Sequence, residues 1–176
     1  MTDLNRAFLN VALYISRLGY SLKTVARQDL AKVDGAPDKL AATFDGVTVC
    51  VADDLAPSVR LFLAVHALGH CQSWARNPAS REVDPSDLSW AMPADRRVAL
   101  AYAQEQEANE YGLTILARSG CADLTETVLD LMREDWLAFA RYLGADRPLV
   151  MYTTDRDRVL VRSLTCPVRV AGAFDL

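Results

Sequence analysis

The chain has 176 residues, 51% hydrophobic and 24% charged, a globular mix long enough for one real core. That excludes bulk disorder and fibrous rods. With 19 Lys+Arg against 23 Asp+Glu, the net charge of −4 argues against binding nucleic acid by phosphate neutralisation.

Along the chain, apolar residues at Leu4, Ala7, Phe8, Val11, Ile15 and Leu18 recur at helical spacing, and Gly19 stops the pattern. Ser21 is suited to cap a second helix over 22–32, with Leu22, Val25, Ala26 and Leu30 inside. Two strands, 40–44 and 47–52, follow around the hairpin dipeptide Asp45-Gly46. A helix from Pro57 or Ser58 to Trp74 is apolar on most sides, so it should be buried. Three of the seven prolines fall in 77–95, which reads as a long surface loop. Helices over about 94–118 and 124–143 end at Gly120 and Gly144. Strand-like pieces at 149–153 and 158–161 make a β-rich tail. The expected architecture is a single α+β domain over 1–176, with a core to about 145 and a tail from 146. A small mixed or antiparallel sheet packs on a helical bundle around the Pro57–Trp74 helix.

Cys50, Cys71, Cys121 and Cys166 form no CxxC pair, which excludes a Cys-only zinc ribbon. They read as small buried hydrophobes. The N-terminus lacks a signal-peptide pattern, and the apolar run 61–69 is half a membrane span. The expectation is a cytoplasmic protein with reduced thiols and no membrane contact.

The two histidines, His66 and His70, sit in His-Ala-Leu-Gly-His. Four residues apart on a helix, both imidazoles reach one point, as a metal site requires. Two hydrogen-bonded core histidines are the simpler alternative. On the next helix Glu105 and Asn109 are also four apart and share a face with the small residues Ala108 and Gly112. Glu105 is placed to complete a His-His-Glu set, and Asn109 to hold the outer nitrogen of a ligand histidine. Glu107 and Glu110 lie off that face and read as solvated. Cys71 projects about 100° around the helix from His70, a poor fourth ligand; a water fits better. The mixed-sign runs 133–135 and 155–158 read as solvated surface. Trp74 and Trp90 flank the 77–95 loop, and Trp136 lies on the last helix; core packing is the simplest role, with Trp90 also suited to anchor a partner.

These residues carry a resemblance. Ser-Val-Arg-Leu-Phe-Leu-Ala-Val-His-Ala-Leu-Gly-His, then Glu-Gln-Glu-Ala-Asn-Glu-Tyr-Gly-Leu-Thr-Ile-Leu, resembles the paired motifs of the ImmA/IrrE family of zinc metallopeptidases. The likeness spans roughly residues 1–120. It implies a zincin-like fold, a zinc ion held by His66, His70 and Glu105, and Asn109 as the supporting residue. It also implies a regulator or repressor protein as partner, with no direct contact to nucleic acid. The departure is Ala67, which stands where the family carries the glutamate of HExxH. That glutamate is the general base, and its loss costs about 10²–10⁴-fold. The expected function is therefore a peptidase-inactive pseudoenzyme, a metal-binding or regulatory module. One rival is an active peptidase in which Ala67 is an inactivating substitution or another residue is the base, with Tyr102, Glu107 and 84–87 the nearest replacements. Another is a metal-free relic of the site.

Overall fold

The computed structural model describes residues 2–30, 41–44, 46–76 and 93–145. Helix α1 spans Leu4–Ser16. The Asp3 carboxylate caps it by accepting from the backbone N–H of Asn5 and Arg6, at 3.1 and 3.0 Å. At its end the Tyr20 N–H donates to Ile15 O and the Gly19 N–H to Ser16 O. This closure needs the positive φ of Gly19, 88°. The helix ends at Gly120 and Gly144 repeat the same pair of bonds.

The helix expected over 22–32 is not formed. Strand β1 spans Ser21–Val25, and a single turn, α2, spans Arg27–Leu30. The apolar spacing fits a helix, but Thr24 and Val25 are β-branched, and the free edge of the sheet supplies a ladder partner. Arg27 makes two bonds to Asp54, at 2.7 and 2.8 Å. This pair is exposed and fixes the entry to α2 more than it stabilises the fold.

Strands β2, Ala42–Phe44, and β3, Thr48–Ala52, form the expected antiparallel pair. The register joins Phe44 to Val49, so the connection is longer than a two-residue turn. β1 pairs with β3 in parallel, from Ser21–Thr48 to Val25–Ala52. The sheet is thus mixed, in the order β1-β3-β2. The most apolar strand is central, and Val49 and Val51 are fully buried.

Helix α3 spans Pro57–Arg76, and every residue from Leu61 to Ser73 is buried. It packs on α1, on β3, on α4 (Ala94–Arg118) and on α5 (Thr125–Tyr142). A 3₁₀ turn, Ala122–Leu124, leads into α5. The main core gathers Val11 and Ile15 of α1, Leu61 and Leu68 of α3, Ile115 of α4 and Val128 of α5. A smaller cluster of Val98, Ala101, Trp136 and Ala140 joins α4 to α5. There Arg97 Nη2 donates to Leu143 O at 3.2 Å, closing the end of α5.

The chain is therefore α+β, mostly helical with a three-stranded mixed sheet. No helix among the described residues is long and apolar enough to cross a membrane. Among the described residues Cys50, Cys71 and Cys121 form no disulfide. Most of the 77–95 loop, with Trp90, and the tail from 146, with Cys166, lie outside the described residues.

Candidate metal centre

The site depends on how closely α3 and α4 approach. A Cβ on Gly69 would stand 1.9 Å from the backbone oxygen of Ala108, and one on Gly112 would stand 2.7 Å from Val65 O. Only hydrogen fits at either place. The expected small face of Ala108 and Gly112 is thus a backbone-to-backbone contact, with Gly69 as the third member that the sequence reading did not single out. This approach sets one turn of α3, with both histidines, against one turn of α4, with Glu105 and Asn109.

All four residues meet there. His66 Nε2 and His70 Nε2 lie 3.1 Å apart. Glu105 spans the pair, with Oε2 3.4 Å from His66 Nε2 and Oε1 3.4 Å from His70 Nε2. Asn109 Oδ1 accepts from His66 Nδ1–H at 2.9 Å. That bond places the proton on Nδ1 and leaves the Nε2 lone pair facing Glu105 and His70. The two imidazoles are edge-on, 4.6 Å between centroids. Phe62 and Trp74 flank them at 5.4 and 5.3 Å, so Trp74 belongs to the walls of the site.

Electrostatics agrees with a cation site. Burial drives the pKa of His66 down to about 4; nearby Glu105 opposes this and His70 adds to it. His66 is therefore neutral at neutral pH, the form that ligates a metal. Burial opposes the charge of Glu105, but His70 and His66 outweigh it and hold the carboxyl below its ordinary value. The neutral His66 imidazole, the His70 ring and the Glu105 carboxylate then share a nearly closed space: His66 is 4% exposed and His70 7%.

His66, His70 and Glu105 form a group that could hold a metal ion, with ligand atoms within 4.8 Å of one another. The spacing fits the task. Atoms bound about 2.0–2.1 Å from one tetrahedral zinc lie ~3.3–3.4 Å from each other. The observed separations of 3.1, 3.4 and 3.4 Å are close to that edge.

The neighbours divide. Cys71 Sγ–H donates to Ala67 O at 3.0 Å, which turns it away from the cluster as expected. Tyr102 packs edge-on against Trp136, 5.2 Å between centroids. Glu110 is exposed, as read. Glu107 is not simply solvated: it accepts from Ser73 Oγ–H at 2.6 Å and ties α4 to α3. Ala67 is 1% exposed and belongs to the main apolar core. Residues 84–87 lie outside the described residues.

Asp135 is the residue the sequence reading missed. The run 133–135 is not solvated surface: all three residues are half-buried, and Arg133 pairs with Asp130 at 2.9 Å. Burial and the like charge of Glu105 push its pKa up to about 8. One signal was available, because Asp135 follows the core residue Val128 by seven positions, two helical turns on the same face. A folded-state pKa raised above the usual carboxylate value of about 3.9 means that the folded form binds the extra proton. Stability then falls as pH rises from about 4 to about 8. Asp135→Asn should flatten this slope, with a relative gain of roughly 1–2 kcal/mol by the alkaline end, the full shift being discounted because the residue is only half-buried. Urea midpoints across pH for both proteins check it; parallel profiles would contradict it.

Comparison with known proteins finds no matching family model, no matching curated protein and no matching solved structure.

Proposed function

We propose that the chain is a zinc-holding regulatory module on the ImmA/IrrE-like zincin plan, without peptidase activity, and that its partner is a protein. The observation that carries this reading is the His66–His70–Glu105 cluster, with edges suited to tetrahedral zinc, in a chain with Ala67 next to His66 in sequence. His66, His70 and Glu105 would hold the ion, and Asn109 keeps His66 in the ligating tautomer. When bound, zinc supplies a Lewis acid and an acidified water. Ala67 has no atom that accepts a proton, so position 67 does nothing to activate that water. The near-closure of the histidine pair also supports holding an ion over admitting a polypeptide.

The test is hydrolysis of a mixed fluorogenic peptide set by the zinc-loaded protein, with the metal-free protein as blank. Wild type is expected to match the blank, and metal-dependent cleavage would contradict the reading. A second reading, an active peptidase with a different base, draws on Asp135. Asp135 is half-buried on α5, where the like charge of Glu105 acts on it. This second reading requires cleavage by wild type that Asp135→Asn abolishes. Ala67→Glu, run in parallel, asks whether restoring the carboxylate alone raises turnover by about 10²-fold or more.

A further inference from the structure

Helices α4 and α5 leave between them a cavity of about 160 Å³ that opens to solvent. Its chemistry changes with depth. Met132 and Trp136, 2% and 3% exposed, form the floor. Leu113 and Leu129, half-buried, form the sides. The charges stand nearer the rim: Glu110 of α4 is exposed and Arg133 of α5 is half-buried. Glu105 and Asn109, turned toward the histidines, complete one side.

Size and charge define what fits. A cavity of about 150 Å³ accepts a molecule as large as benzene, so this one takes a short apolar chain and little more. At the rim the two helices offer opposite charges. Arg133 Nη1 pairs with Asp130 at 2.9 Å, and a guanidinium, with five N–H donors, binds more than one acceptor at once. Glu110 Oε1 accepts from Gln106 at 3.3 Å, and a carboxylate has about four acceptor sites. A simple anion would meet Glu110 and Glu105, and a simple cation would meet Arg133. A molecule with an ammonium and a carboxylate on one carbon, above a short apolar chain, answers rim and floor together.

We infer that the cavity between α4 and α5 binds a free amino acid with an apolar side chain the size of leucine or methionine. The side chain lies on Met132 and Trp136 between Leu113 and Leu129, the carboxylate meets Arg133 and the ammonium meets Glu110. A residue inside a polypeptide carries neither charge, which separates a free amino acid from a protein segment. The inference goes beyond the proposed function and does not rest on the metal. Glu105 and Asn109 belong to both places, so any effect of the amino acid on zinc affinity is matched by an equal effect of zinc on amino-acid affinity.

The test uses the full-length chain labelled with ¹³C-methyl methionine. Its four methionines give at most four methyl signals, and Met132→Leu identifies the one from Met132. The probes are L-leucine, leucinamide without the carboxylate, 4-methylpentanoate without the ammonium, and L-alanine without the apolar chain. Leucine should move the Met132 signal saturably. The other three should each bind at least about tenfold more weakly, for a lost charged contact or lost apolar burial. In Arg133→Gln leucine and leucinamide should bind alike, and in Glu110→Gln leucine and 4-methylpentanoate should bind alike. Leu129→Phe, with Leu113→Phe as a second filling variant, should abolish the shift while the spectrum stays dispersed. No saturable shift with leucine, or unchanged binding in both folded filling variants, would overturn the inference. Leucinamide binding as well as leucine would overturn it in favour of the N-terminal residue of a polypeptide, and 4-methylpentanoate doing so in favour of a plain carboxylate. Zinc stoichiometry on the same sample keeps the metal reading separate: failed leucine binding with zinc present overturns this inference alone, and leucine binding to a chain that takes up no zinc leaves it standing.

Discussion

Gly69→Ala should cost about 3 kcal/mol or more, at or beyond the upper end of ordinary overpacking. The added methyl carbon would sit 1.9 Å from Ala108 O, and that oxygen belongs to helix backbone, which cannot rotate aside. Relief requires α3 and α4 to separate by more than about 1 Å, and closely packed interiors resist such shifts. Glu105 lies one turn before Ala108, so separation also draws the carboxylate away from both histidines. Denaturation in urea should show a large fall in midpoint, and zinc uptake should fall with it. Gly112→Ala, at 2.7 Å from Val65 O, should be milder in both respects. Gly69→Ala with a wild-type midpoint would show that the helices are not in the contact described.

The second large effect is ligand-linked. A metal that binds only the folded chain stabilises it by about 2.7 kcal/mol at a free concentration one hundred times its Kd. For a domain of this size that corresponds to roughly 5–10 °C in melting temperature. Zinc should therefore raise the melting temperature of wild type, and a chelator should reverse the rise. His66→Ala removes one of three ligands and should abolish the response. Asn109→Ala leaves the ligands but frees the outer nitrogen of His66, so affinity should fall about 10–100-fold with stoichiometry retained. Equal melting shifts in wild type and His66→Ala would place the zinc elsewhere.

The meeting of His66, His70, Glu105 and Asn109 was legible in sequence because helical geometry carries the information. Two histidines four apart, and a glutamate and asparagine four apart, each define one point on one face. The small residues Ala108 and Gly112 indicated that the faces could meet. Gly69 carried the same signal inside the histidine motif, but its role depends on which backbone atom lies opposite, which only packing reveals. The strand Ser21–Val25 was hidden for a different reason. Its apolar spacing suits a helix, and what makes it a strand is the free edge of β3 distant in sequence. Asp135 was obscured by its neighbours: three charges in a row look like surface, while the turn of α5 half-buries all three and sets the third where the charge of Glu105 acts on it. Glu107 was misread because its partner, Ser73, lies on another helix.

The most direct measurement is elemental analysis of the untagged protein, purified with zinc in the medium and freed of excess, beside His66→Ala. About one zinc per chain in wild type and none in the variant is the expected result. No metal in wild type after loading, or equal metal in both proteins, would contradict the assignment of His66, His70 and Glu105 as a metal centre and leave the cluster a buried hydrogen-bond network.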